Sequence, residues 1–184
     1  MPNFPILPAT LPFTLGLANE LTYFTVQGFY GDVENPLGSG IGIAPNFGVV
    51  SATVTFIPRL PPGTTLFIPD LDMQNGMAQD VAVPLPPIQG RIINGTLETI
   101  NRADSPDVQL LAYSSIVATA MTQQGLGNQL IYDVQFSNVT FAGGPQVINN
   151  FAFAAPTSAV TITLTDPLLP RLLYNGPTKP FILP

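Results

Sequence analysis

Cysteine, histidine and tryptophan are all absent from the 184 residues. Without cysteine there can be no disulfide framework, no thiolate metal site and no thiol nucleophile. Without histidine the chain lacks the commonest general base, the commonest transition-metal ligand and the usual neutral-pH switch. A nucleophile would then have to be a lysine, a carboxylate or a metal-activated group. The single lysine, Lys179, stands among the prolines of the C-terminal stretch. This inventory points to a non-enzymatic protein that uses no cofactor.

Charge is scarce too. Only 9% of residues are charged, against the ~25% usual in globular domains. Such a neutral surface suits a protein that is covered by partners in use. Five basic residues oppose eleven acidic ones, for a net charge of −6. The bases are scattered at Arg59, Arg91, Arg102, Arg171 and Lys179, so no basic patch exists to neutralise phosphates, and nucleic acid is not an expected partner. The opening Met1-Pro2-Asn3-Phe4-Pro5 has neither a positive region nor an unbroken apolar run and does not read as a secretory signal. No stretch reaches the ~18 apolar residues of a membrane span, so membrane insertion is not expected.

What the chain does contain is proline, 21 residues, and glycine, 16. Apolar residues recur with period two between these breakers, and β-branched and aromatic residues fill the runs. The expected fold is all-β, an antiparallel β-sandwich or small barrel with proline-rich extended arms at both ends. Residues 1–48 are read as an N-terminal arm, one strand and a glycine-rich loop, 49–165 as the β-sandwich domain, and 166–184 as a proline-rich C-terminal tail. In the arm, Pro2, Pro5, Pro8 and Pro12 remove backbone donors and disfavour helix. Phe4, Ile6, Leu7, Leu11 and Phe13 supply apolar anchors between them. The tail repeats the design with Leu172, Leu173, Phe181 and Ile182. These nine residues are the candidate assembly contacts, and both ends are expected to gain order only against neighbouring subunits.

A first strand is expected over 21–30, with Phe24 and Val26 on one face. Residues 31–48 read as loop. From residue 49, Val50, Ala52, Val54 and Phe56 alternate with polar residues up to Pro58. Residues 64–68 resume as strand, 69–79 read as an acidic loop, and 81–88 hold three prolines that suit an edge. Asn94-Gly95 is the sharpest local signal. Both residues tolerate positive φ, so a two-residue type I′ turn pairs Ile93 with Thr96, Ile92 with Leu97 and Arg91 with Glu98. Later strands are expected over 108–113, 130–136, 139–141, 150–155 and 160–165, and residues 115–124 fit either one short helix or a loop.

Candidate chemistry is thin. Asp70 and Asp72 place two carboxylates on one side of an extended segment, which makes a cation conceivable, but the ligand spacing of a calcium loop is missing. Asp104-Ser105-Pro106-Asp107 reads as turn chemistry. Asn94 and Asn138 each begin a glycosylation sequon, and the first is already accounted for by the turn. A hydrolase working through facing carboxyls finds no support in the spacing of the acids.

Several ordered phrases resemble a module of the minor tail proteins of mycobacteriophages and related actinobacteriophages. They are Val54-Thr55-Phe56-Ile57-Pro58-Arg59-Leu60-Pro61, then Pro87-Ile88-Gln89-Gly90-Arg91-Ile92 with Asn94-Gly95-Thr96-Leu97, then residues 104–112, 130–139, 151–157 and 164–167. The resemblance spans roughly residues 50 to 170 and carries over no active-site residue. It implies a structural protein of a siphophage virion, made in the host cytoplasm and placed in the tail. There it would mediate tail or tail-tip assembly as a homo-oligomer in a symmetric complex with other virion proteins. A capsid decoration protein would share all of these features. A carbohydrate-binding module engaging a host glycan on the cell envelope is the alternative from another class, resting on fold analogy alone.

Overall fold

The computed structural model describes residues 21–34, 46–73, 77–100, 107–141, 144–145 and 147–176. The period-two runs form two packed sheets. The larger is built around β3 (Asn46–Pro58) and β9 (Ile131–Phe141), which pair antiparallel along most of their length. It continues outward through β6 (Ile88–Ile93) and β7 (Thr96–Thr99) on one side, and through β10 (Gly144–Pro145) and β11 (Phe151–Ala154) on the other. The smaller sheet has β1 (Tyr23–Gln27) at its centre, between β8 (Val108–Leu111) and β12 (Thr161–Thr163). The architecture is thus all-β and sandwich-like. Among the described strands one pair departs from the antiparallel rule, since β1 and β12 run parallel.

Val54, Phe56, Tyr132, Val134 and Phe153 point from the large sheet towards Phe24 and Val26 on β1, and all of them are buried. Phe24 meets the rings of Tyr132 and Phe153 edge-on at 6.1 Å each, the geometry that aromatic quadrupoles favour. At one corner the sheets join through backbone. The Leu97 N–H donates to Gly28 O, and the Tyr30 N–H to Gly95 O.

The Asn94-Gly95 hairpin forms as expected, with φ of 50° and 82° at the two turn residues and Arg91 opposite Glu98. Its tip is not free. Gly95 N–H donates to Val50 O, and a Cβ at Gly95 would lie 2.8 Å from Tyr30 O, so only glycine fits. The helix alternative holds for α1 (Ser115–Gln123), which buries Val117, Ala120 and Met121. It ends in a Schellman motif: Gly125 takes φ of 67°, its N–H reaches Thr122 O, and the Leu126 N–H reaches Met121 O.

Several expectations need correction. Residues 31–34 and 46–48 are not loop. β2 (Gly31–Glu34) pairs with the start of β3, so β3 runs across the boundary drawn near residue 48, and β1 is part of the packed body. Residues 69–73 and 77–79 are not an acidic loop either: β4 (Thr65–Met73) and β5 (Met77–Pro84) form an antiparallel pair. A register shift between Ile68 and Leu71 marks where β4 absorbs Pro69, which a strand tolerates at a bulge on an edge. The strands expected over 130–136 and 139–141 are one strand, β9. Asn138, at φ 51°, takes up the extra residue where the register against β3 shifts.

Candidate functional site

Of the nine candidate assembly contacts, Phe4, Ile6, Leu7, Leu11, Phe13, Phe181 and Ile182 lie outside the described residues. Leu172 and Leu173 lie within a strap, residues 171–175, that runs beside β11. The Ala152 N–H donates to Leu172 O at 3.0 Å, and the Leu172 N–H returns to Ala152 O at 2.7 Å. This bridge adds one residue of strand to the outer edge of the large sheet. Continuing the same register would set Pro170 opposite Ala154, and proline has no N–H to give, so pairing stops there.

A buried carboxylate holds the strap from beneath. Asp133, only 2% exposed, is the third residue of β9. Its Oδ1 accepts from Arg59 Nη2 at 2.5 Å, its Oδ2 accepts from Arg59 Nε at 3.2 Å, and Oδ1 also accepts from the Asn175 N–H at 3.1 Å. Arg59 Nη2 donates in addition to Leu173 O at 2.6 Å. Buried charge is tolerated only when paired and hydrogen-bonded, and here both conditions are met. The bond to Asp133 raises the Arg59 pKa above its ordinary value, against a smaller opposing effect of burial. Arg171 secures the strap's start: its guanidinium donates to Leu164 O at 3.1 Å and lies 4.6 Å from the centre of the Phe151 ring.

The described part of the C-terminal tail is therefore ordered by its own domain, contrary to the expectation that neighbouring subunits must supply that order. Three side chains absent from the candidate set, Arg59, Asp133 and Arg171, do this. An acid inside a run as apolar as Tyr132 to Phe136 was a signal that a cation had to be near.

The strap's apolar side chains face outward. Leu173 is 90% exposed and Leu168, just before the strap, 85%. A second apolar feature lies where the two sheets open at the N-terminal end of β1. It is a cleft of about 90 Å³ lined by Tyr23, Leu111 and Tyr132, with Pro84, Leu85 and Pro86 of the β5–β6 connection among its walls. Tyr132 Oη donates to Leu111 O at 3.2 Å. Burial pushes the Tyr132 phenol well above its ordinary value, partly offset by that bond and reinforced by the nearby Tyr23.

The side chains of Asp70 and Asp72 lie outside the described residues, as do residues 101–106. Asn94 and Asn138 are exposed at a turn and a bulge. Among the described residues no helix is long and apolar enough to cross a membrane. Comparison with family models, with curated proteins and with solved structures finds no match to this chain.

Proposed function

We propose that this chain is a non-enzymatic structural protein of a siphophage virion, a minor tail protein that takes part in tail or tail-tip assembly. The observation that carries the reading is the character of the surface. Large apolar side chains stand in solvent on a sandwich-like body with few charges, Leu168 and Leu173 foremost, and the charges of Arg59 and Asp133 are turned inward to hold the chain's own strap. Where such groups gather into one patch they mark a surface that becomes covered. The phage part of the reading rests on the resemblance of the ordered phrases between residues 50 and 170, and the lack of histidine and cysteine fits a role without chemistry.

Labelling intact particles with a gold-conjugated antibody to this chain and imaging them by electron microscopy tests the proposal. Label at the tail or its tip is the expected result. Label spread over the capsid shell would replace it with a decoration role, and particles without label would overturn it.

A further inference from the structure

The cleft between the sheets has walls of one chemical kind. Two tyrosine rings, three prolines and two leucines form most of it, and no charged side chain lines it. Its volume is below the ~150 Å³ of an apolar cavity that holds a benzene-sized guest, so it suits one proline ring or aliphatic side chain at a time. Aromatic and proline walls of this sort recognise extended, proline-rich chain, whose conformation is set before binding. At the rim Tyr23 is 42% exposed, and its hydroxyl can donate to the carbonyls of such a chain.

A segment of that chemistry enters the fold beside the cleft. Residues 1–19 contain no charged side chain, four prolines, and Phe4, Ile6, Leu7, Leu11 and Phe13. The described chain begins at Leu21, two residues before Tyr23. About ten residues separate Phe13 from Tyr23, and a chain of that length has a root-mean-square reach of ~16–19 Å. So short a tether gives an effective concentration of order millimolar, well above what a second copy offers in dilute solution.

We propose that the proline-rich N-terminal segment of this chain docks into its own cleft, laying an apolar side chain or proline ring between Tyr23, Leu85 and Tyr132. The cleft is a receptor for the chain's own arm, and it takes one of the arm's apolar side chains out of solvent in the free subunit. This inference is independent of the phage assignment.

The absence of cysteine makes the test direct, because a nitroxide can be attached to Ala9→Cys in the full-length, nitrogen-15-labelled protein. The amide signals of Tyr23, Val83, Leu85, Ile88 and Leu111 are expected to lose more than half their intensity relative to the reduced label. Those of Gly95 and Thr96, at the far end of β1, are expected to keep theirs. Leu85→Asp should restore the five signals while the rest of the spectrum stays folded. If that variant unfolds, Tyr23→Ser at the exposed rim serves in its place. Broadening that spares the cleft, or that spreads equally to Gly95 and Thr96, would overturn the proposal. Broadening that disappears when the labelled protein is diluted into excess unlabelled chain would assign the segment to a second copy and overturn docking within one chain.

Discussion

Asp133 lies diagonally across two antiparallel strands from Arg59, on the same face, and its Oδ1 is shared between Arg59 Nη2 and the Asn175 N–H. One carboxylate thus ties the end of β3 to a segment more than a hundred residues later. Asp133→Asn keeps the shape but loses the charge and leaves Arg59 short of its partner. The expected loss is ~1–3 kcal/mol, below the ~3–5 of a fully buried pair because Arg59 is 28% exposed. Hydrogen exchange at Leu172 and Asn175 should accelerate more than at Phe136. Equal protection in both proteins would mean that the strap holds without the carboxylate.

Gly95→Ala should be among the costliest single changes at any turn of the protein. The left-handed backbone alone costs a side chain ~1–2 kcal/mol, and the new Cβ would press on Tyr30 O in addition. Asn94→Gly at the neighbouring turn position should stay within ~1 kcal/mol. Denaturant midpoints for the two variants give the comparison, and similar losses would contradict the packing of the turn against Tyr30.

Burial raises the phenol pKa values of both Tyr30 and Tyr132. A raised phenol keeps its proton in the folded state after the unfolded chain has begun to lose it. Stability from this source is therefore complete below pH ~10 and falls as pH rises beyond it. Absorbance at the tyrosinate band should include a component that appears together with loss of the β-sheet circular dichroism. Ionisation of all five tyrosines in a protein that keeps its sheet signal would refute this.

The two hydroxyls differ in their bonding. Tyr132 Oη reaches Leu111 O, whereas the buried Tyr30 Oη has no hydrogen-bond partner among the described residues. Tyr132→Phe is expected to cost ~1 kcal/mol, and Tyr30→Phe to be neutral or stabilising. Thermal unfolding of the pair decides it, and a larger loss at Tyr30 would point to a partner for its hydroxyl.

Gln124, the residue that caps the C-terminus of α1, uses its side-chain amide like a piece of strand. Nε2 donates to Phe67 O at 2.8 Å, and Oε1 accepts the Phe67 N–H at 3.2 Å. Gln124→Glu keeps the acceptor but removes the donor, setting a carboxylate against a carbonyl. It should destabilise by more than Gln124→Ala and should do so less at acid pH, where the carboxyl can donate again. Chemical denaturation at two pH values checks this, and identical midpoints for the two variants would exclude the amide's pairing role.

The parts of the fold legible in the sequence were those decided locally. Asn94-Gly95 determines its own turn and, with it, the register of β6 and β7. Strict alternation places Val54 and Phe56 inward whatever they face. The β4–β5 pair was hidden because Pro69 and the acids around it read as loop chemistry, and a bulge at an edge accommodates both. The strap was hidden for a different reason. Its anchors at Arg59, Asp133 and Ala152 are far from it in sequence, and a tail rich in proline carries no periodicity that points back to its own domain. Residues 172 and 173 were legible as apolar anchors, but not the backbone bonds that hold them.

The parallel pairing of β1 with β12 sets a clock on biosynthesis. Thr25 lies opposite Thr161, and the side chain of Gln27 bonds Thr163, so one neighbour of the first described strand is made 136 residues after it. At ~5–20 residues per second, that interval is roughly 7 to 27 s. Throughout it the nascent chain holds β1 with one edge unpaired, and a topology so rich in distant pairings belongs among the slow folders. The ribosome must pass Thr163 before β1 can gain this neighbour, so a translation product that stops short of β12 would carry an open sheet edge.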